Sequence, residues 1–110
     1  MDIKTKTFVY NVATDCRVRH SHHRLKKRIV RFIVQLEVRH PRRGTWHAAV
    51  RFDTAHGFAH RDRLHPNGSV DKTALPVDDY TQALNYAEAD LQNQWQVYRD
   101  RFLEELEHDE

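Results

Sequence analysis

Ile29-Val30-Arg31-Phe32-Ile33-Val34-Gln35-Leu36-Glu37-Val38-Arg39-His40 decides the fold. Val30, Phe32, Val34, Leu36 and Val38 alternate with Arg31, Ile33, Gln35, Glu37 and Arg39, the period-two pattern of a strand with one buried face. Pro41-Arg42-Arg43-Gly44 then supplies a turn. Beyond it Trp46, Ala48, Val50 and Phe52 fall on one side, and His47, Ala49, Arg51 and Asp53 on the other. The two segments predict a hairpin over 29–53. Its apolar face needs a cover, and its polar face sets His47, Arg51 and Asp53 in a row, with side chains two apart about 7 Å from one another.

The cover lies further along the chain. Tyr80, Leu84, Ala87, Leu91, Trp95, Tyr98, Phe102 and Leu106 recur at spacings of three and four, which predicts an amphipathic C-terminal helix over 79–106. Asp79 with Gln82 resembles a capping box, and Asp78 and Asp79 suit the positive end of a helix dipole. At 1.5 Å per residue such a helix reaches roughly 40 Å, long enough to overhang a small sheet and offer a homodimer contact. Thr5 to Val12 reads as a short N-terminal strand, and residues 69–76 as no more than an edge segment. The expectation is a single α+β domain over 1–110. A small antiparallel sheet, made of the hairpin plus the N-terminal strand, packs in two layers on one long helix. Phe32, Val34, Leu36, Val50 and Phe52 should be buried against Leu84, Leu91, Trp95 and Phe102.

Composition sets the bounds. The chain has 110 residues, enough for one modest core, with 39% hydrophobic and 31% charged residues. No apolar run is long enough for a membrane span, and Met1-Asp2-Ile3-Lys4-Thr5-Lys6 lacks the apolar region of a signal peptide, so a cytoplasmic protein without membrane contact is expected. Cys16 is the single cysteine, which excludes an internal disulfide or a cysteine-based zinc site. The net charge of +2 hides a split, because residues 1–63 carry 15 Lys and Arg against 5 Asp and Glu, and residues 64–110 carry 3 against 11. Either the halves attract each other, or a basic face recruits an anionic partner.

Residues 16–36 contain no acid. Arg17, Arg19, Arg24, Lys26, Lys27, Arg28 and Arg31, with His20, His22 and His23, predict a polycationic loop over 16–28 leading into the strand. Such a loop is either solvated or a nucleic-acid contact, since each phosphate neutralised by Lys or Arg releases counterions. Arg17, Arg19, Arg24, Lys26, Lys27, Arg28, Arg61 and Lys72 are the candidate nucleic-acid-binding residues.

Chemistry concentrates in a motif loop over 53–68. Arg51-Phe52-Asp53-Thr54-Ala55-His56-Gly57-Phe58-Ala59-His60-Arg61-Asp62-Arg63-Leu64-His65-Pro66-Asn67-Gly68 brings together imidazoles, carboxylates and guanidinium groups. In one reading His56 and His60 are the acid and base of phosphodiester cleavage, Asp53 or Asp62 fixes a tautomer, and Arg51, Arg61 or Lys72 faces the phosphate. That chemistry needs no metal and no other cofactor. In a second reading His56, His60, Asp62 and His65 bind a divalent metal. In a third the His and Asp side chains hydrogen-bond loop backbone and staple the turn.

The run RFDTAHGFAHRDRLHPNG, followed by ALNYAEADLQNQWQVYRDRF, resembles an uncharacterised family of small bacterial proteins over roughly residues 30–105. More distantly, Phe52-Asp53, Gly57, His60 and His65, placed after a hairpin, are similar to the TumE-type toxins of bacterial toxin-antitoxin pairs. That resemblance implies a growth-inhibiting toxin with a cognate antitoxin protein, and it does not extend to the basic segment. The combined expectation is a nucleic-acid-directed, toxin-like protein acting on RNA, in one form a metal-independent ribonuclease. The alternative is a non-catalytic module that binds nucleic acid or an acidic protein through its basic loop, and a structural subunit is the third class.

Overall fold

The computed structural model describes residues 2–109 and is α+β, with one antiparallel sheet and one long helix. The strands are β1 (Ile3–Ala13), β2 (Cys16–Leu25), β3 (Arg28–Arg39), β4 (Trp46–Asp53), β5 (His60–Leu64) and β6 (Val70–Ala74), and the helix α1 spans Tyr80–Asp109. They form an open meander in which each strand pairs with the next, in the order β1-β2-β3-β4-β5-β6. The hairpin that the alternation predicts is β3–β4, and it lies at the centre of the sheet.

The helix covers one face only. Asp79 starts it by accepting hydrogen bonds from the backbone N–H of Thr81 and Gln82, at 2.7 and 3.1 Å, so the Asp half of the expected capping box is present. These bonds hold the Asp79 carboxyl below the usual carboxylate range. Ala83, Leu84, Ala87, Leu91, Tyr98 and Phe102 are buried against Phe32, Val34, Leu36, Val38, Val50 and Phe52. Trp95, expected in this core, is only partly buried and carries the Arg99 guanidinium 5.0 Å from its ring centroid. The helix is long because the strands are long. At about 3.3 Å per residue the 12 residues of β3 span roughly 40 Å, against roughly 45 Å for the 30 residues of α1, so the sheet is not the small one from which an overhang was inferred.

Three features depart from the sequence reading. The segment expected as a basic loop over 16–28 is mostly strand: β2 pairs with both β1 and β3, and only Lys26 and Lys27 turn, Lys26 with φ of 57°. Its alternation is present in the sequence but is carried by Cys16, Val18 and His20, which are buried at 0%, 1% and 2% exposure, and a histidine does not read as a core residue. The motif segment is likewise not one loop, because β5 occupies its second half. Finally, β-bulges interrupt the β2–β3 and β3–β4 ladders. The β2–β3 register shifts between His23 and Arg24, leaving Val30 unpaired and 38% exposed while Ile29 packs on the core. The β3–β4 register shifts between Leu36 and Glu37, so Ala49 is the extra residue. This second bulge exchanges faces at the start of β4. Trp46 turns to the face away from the helix, and His47 to the helix side, where its ring lies 6.2 Å from that of Phe102. The predicted row of His47, Arg51 and Asp53 is therefore broken between His47 and Arg51, and Arg51 and Asp53 alone share a face.

His20 occupies a buried position beneath the stacked ring of Phe8, at a centroid distance of 4.4 Å. Burial, with the nearby His22 and Lys6 charges adding, pushes its imidazole down to about 4. A histidine depressed in the fold stays neutral there while the unfolded chain takes up a proton near pH 6.5, so its contribution is complete above that pH and is lost as pH falls toward 4. His20→Gln, which cannot be protonated, should flatten the stability profile between pH 6.5 and 4 relative to the wild-type chain. With a discount for solvent screening, the difference should be on the order of 1–2 kcal/mol in chemical denaturation. Parallel profiles would show that His20 protonation is not linked to folding.

Candidate functional site

Since α1 lies on one face, alternate residues of every strand point to an uncovered face. Strand register assigns Arg17, Arg19, Ser21 and His23 of β2 to that open face, together with Arg31, Ile33, Gln35, Glu37 and Arg39 of β3. Trp46, Arg51 and Asp53 of β4, His60 and Asp62 of β5, and Lys72 of β6 continue it. Arg17, Arg19, Arg31, Arg39, Arg51 and Lys72 thus share one surface, on which the strand carboxylates among the described residues are Glu37, Asp53 and Asp62.

Part of this charge is organised around Glu37. Arg17 Nε donates to Oε1 at 2.6 Å, and Arg19 Nε and Gln35 Nε2 donate to Oε2 at 3.0 and 2.7 Å. Burial alone would raise the Glu37 carboxyl, but the bonds from Arg19, Arg17 and Gln35 outweigh it and hold the group below its ordinary value. One carboxylate thereby fixes two guanidinium groups. Arg17 also sits over the ring of Trp46, with Cζ 4.0 Å from its centroid, and Arg51 Nε donates to Gln35 Oε1 at 2.8 Å. Side chains of Arg19, Gln35, Arg51, Asp62 and Lys72 follow one another across five strands as register neighbours.

At one end of this face lies the cluster that the motif builds. The β4–β5 connection contains a 3-10 turn at Ala55–Gly57, with Thr54 hydrogen-bonded to Phe32 and Ala55 N–H to Asp53 Oδ1. His56 within it has φ of 69°, a left-handed conformation uncommon for a residue with a Cβ. The connection returns the chain so that Asp53 pairs with His60, and Arg51 with Asp62. His60 Nε2 lies 2.9 Å from Asp53 Oδ1 and 3.6 Å from Asp62 Oδ2, and its Nδ1 lies 3.2 Å from the carbonyl oxygen of Phe58. A carbonyl only accepts, so Nδ1 carries a proton. Lys72 Nζ is 3.0 Å from Asp62 Oδ1. His60 is 1% exposed. A cleft of about 390 Å³ adjoins the cluster, lined by Asp53, Thr54 and Ala55 on one side and Ser21, His23 and Arg31 on the other.

The motif residues are therefore divided by the sheet. Asp53, His60, Asp62 and Arg51 share the open face, whereas His56 is exposed on the turn, its ring centroid 6.3 Å from that of His60. Arg61, predicted to face phosphate, points to the helix side and donates to Tyr98 Oη at 3.3 Å. His65 is on that side as well, 2.7 Å from both Glu105 and Asp71, whose hydrogen bonds raise its imidazole above the usual range. The four-residue metal set His56, His60, Asp62 and His65 is consequently not assembled. Ligand atoms of Asp53, His60 and Asp62 do come within 4.8 Å of one another. Of the basic candidates, Arg17, Arg19 and Lys72 reach the open face, Lys26 and Lys27 form the β2–β3 turn with Arg28 next to it, and Arg24 pairs with Lys4 on the helix side. The sequence reading missed Glu37, Gln35 and Trp46 as organisers of this surface. Period two from Glu37 would have placed the first two beside each other, but the bulge at Ala49 hid Trp46.

No helix among the described residues is long and apolar enough to cross a membrane. The model of the family described as Domain of unknown function (DUF7718) matches residues 3–108. No curated protein and no solved structure matches the chain.

The two motif histidines should separate on substitution. His56→Ala, at an exposed position, should leave the melting temperature nearly unchanged, while His60→Ala removes the partner of two largely buried carboxylates and should cost about 3 kcal/mol or more. Denaturant titration of both variants measures this, and equal stability would mean that His60 does not anchor the motif.

Proposed function

We propose that this chain, which belongs to the DUF7718 family, is a non-catalytic RNA-binding module that uses the open face of its sheet. One observation carries the reading: the face left uncovered by α1 bears Arg17, Arg19, Arg31, Arg39, Arg51 and Lys72, with Trp46 among them. Guanidinium groups suit phosphate because their donors form a rigid planar fork, and an aromatic ring beside them suits an unstacked base. Arg17 and Arg19 are held by Glu37, and Arg51 by Gln35, so less side-chain freedom is lost when a phosphate is bound. Most acidic residues of the C-terminal half belong to α1, on the other side of the sheet. The attraction between halves and the basic surface are thus compatible.

A ribonuclease would need two proton-transfer groups able to reach substrate. His56 is accessible, but His60 is buried with both nitrogens against protein atoms, which is why the binding module is the stronger form of the reading. The basic segment enters this reading as strand β2 rather than as a loop.

Single-stranded RNA should bind with an affinity that falls as salt rises, because phosphate contacts release counterions. Arg19→Ala with Arg31→Ala should weaken binding at least about tenfold and reduce the salt slope by about two contacts, without a change in fold. Arg24→Ala with Arg101→Ala, on the helix side, serves as the comparison and should change affinity less than about twofold. Fluorescence anisotropy across a salt series reads both. Equal losses from the two pairs, or no salt-dependent binding by the wild-type chain, would overturn the assignment and leave an acidic protein as the partner.

A further inference from the structure

We propose that Asp53, His60 and Asp62 form a divalent-cation site on the open face, of the type that takes zinc or manganese. The site stands on its own geometry and is independent of RNA binding. Adjacent strands β4 and β5 hold its residues, through the register Asp53↔His60 and Arg51↔Asp62, so their relative positions are fixed by backbone pairing rather than by a flexible loop.

The orientation of His60 points to a cation. Its Nδ1–H is committed to the Phe58 carbonyl, the arrangement by which metal-binding histidines are usually held in one tautomer. With the ring neutral, its Nε2 lone pair is directed at two carboxylate oxygens, 2.9 and 3.6 Å away. Three electron-rich atoms converging in this way repel one another unless positive charge lies between them. Ligands held at about 2.1 Å from one ion, at angles between 90 and 110°, stand roughly 3.0–3.4 Å apart, so the two observed separations bracket those of a shared ion.

Asp62 supplies a second, independent observation. It is 6% exposed and turns Oδ2 toward His60, while its Oδ1 accepts no aligned hydrogen bond and has the Lys72 ammonium at 3.0 Å as an ion pair only. Lys72 has a side chain 42% exposed and can turn to solvent when a stronger cation neutralises Asp62. One imidazole and two carboxylates form a nitrogen and oxygen donor set suited to zinc or manganese. Three protein ligands leave positions for water or for an anionic oxygen. The competing arrangement has the same atoms with His60 protonated on both nitrogens, an imidazolium neutralised by Asp53 and Asp62.

Zinc chloride and manganese chloride, each titrated into the chelator-treated full chain, separate the two arrangements. The expected result is saturable binding of one ion per chain for at least one of the metals. Binding should weaken tenfold or more in Asp53→Asn and in Asp62→Asn, and change less than twofold in His56→Ala and in His65→Ala. Circular dichroism verifies that each variant is folded. Nitrogen-15 NMR of the His60 ring provides a readout that does not depend on the variants. At saturating zinc Nε2 should carry no proton while Nδ1–H persists. Lack of uptake of either metal, uptake unaffected by both Asn variants, or an Nε2 proton retained at saturating zinc would each overturn the site.

Discussion

One helix can bury only one face of one sheet, and the rest of this molecule follows from that constraint. Six strands in simple meander order present alternate side chains to two sides, and among the described residues α1 is the single element available to cover either. Burial of Val34, Leu36, Val50, Phe52 and Leu91 is the main favourable term in folding, and it is complete on the helix side, where each is at most 1% exposed. The opposite positions have no such cover and must be compatible with water. An antiparallel sheet tolerates this, since its connections need not cross either face. The result is a broad polar surface held by a rigid framework.

What occupies that surface is not a random set of soluble residues. Glu37 is buried at 6% exposure by the groups it fixes, and those groups are arginines. A buried carboxylate is tolerated only when its oxygens are satisfied, and here Arg17, Arg19 and Gln35 satisfy them. The same hydrogen bonds orient positive charge across the centre of the face. The motif cluster applies this logic at its edge, where Asp53 and Asp62 flank His60. Electrostatics thus shape the open side as packing shapes the covered one.

The hairpin and helix were legible in the sequence because their apolar residues are strongly periodic and bounded by recognisable turn and capping residues. Strand β2 was not, since Arg17, Arg19 and Arg24 dominate its composition while the small Cys16 and the ionisable His20 fill core positions. Missing β2 also shrank the expected sheet, and with it came the inference that α1 overhangs. The bulges at Val30 and Ala49 carry no glycine or proline to mark them, and each moved neighbouring side chains across the sheet. For the motif, grouping by proximity in sequence was half correct. Asp53, His60 and Asp62 do meet, but the period-two geometry of β5 sends Arg61 and Arg63 to the helix, where they reach Tyr98 and Glu105.

The central claim is that the uncovered face is the one that meets RNA. Its most direct test follows the arginine Nε–H signals by NMR while single-stranded RNA is added to the full chain. Shifts concentrated at Arg17, Arg19, Arg31 and Arg51, with Arg61, Arg63 and Arg99 unmoved, are the predicted result. Shifts centred on Arg61, Arg63 and Arg99, or spread equally over both faces, would contradict it.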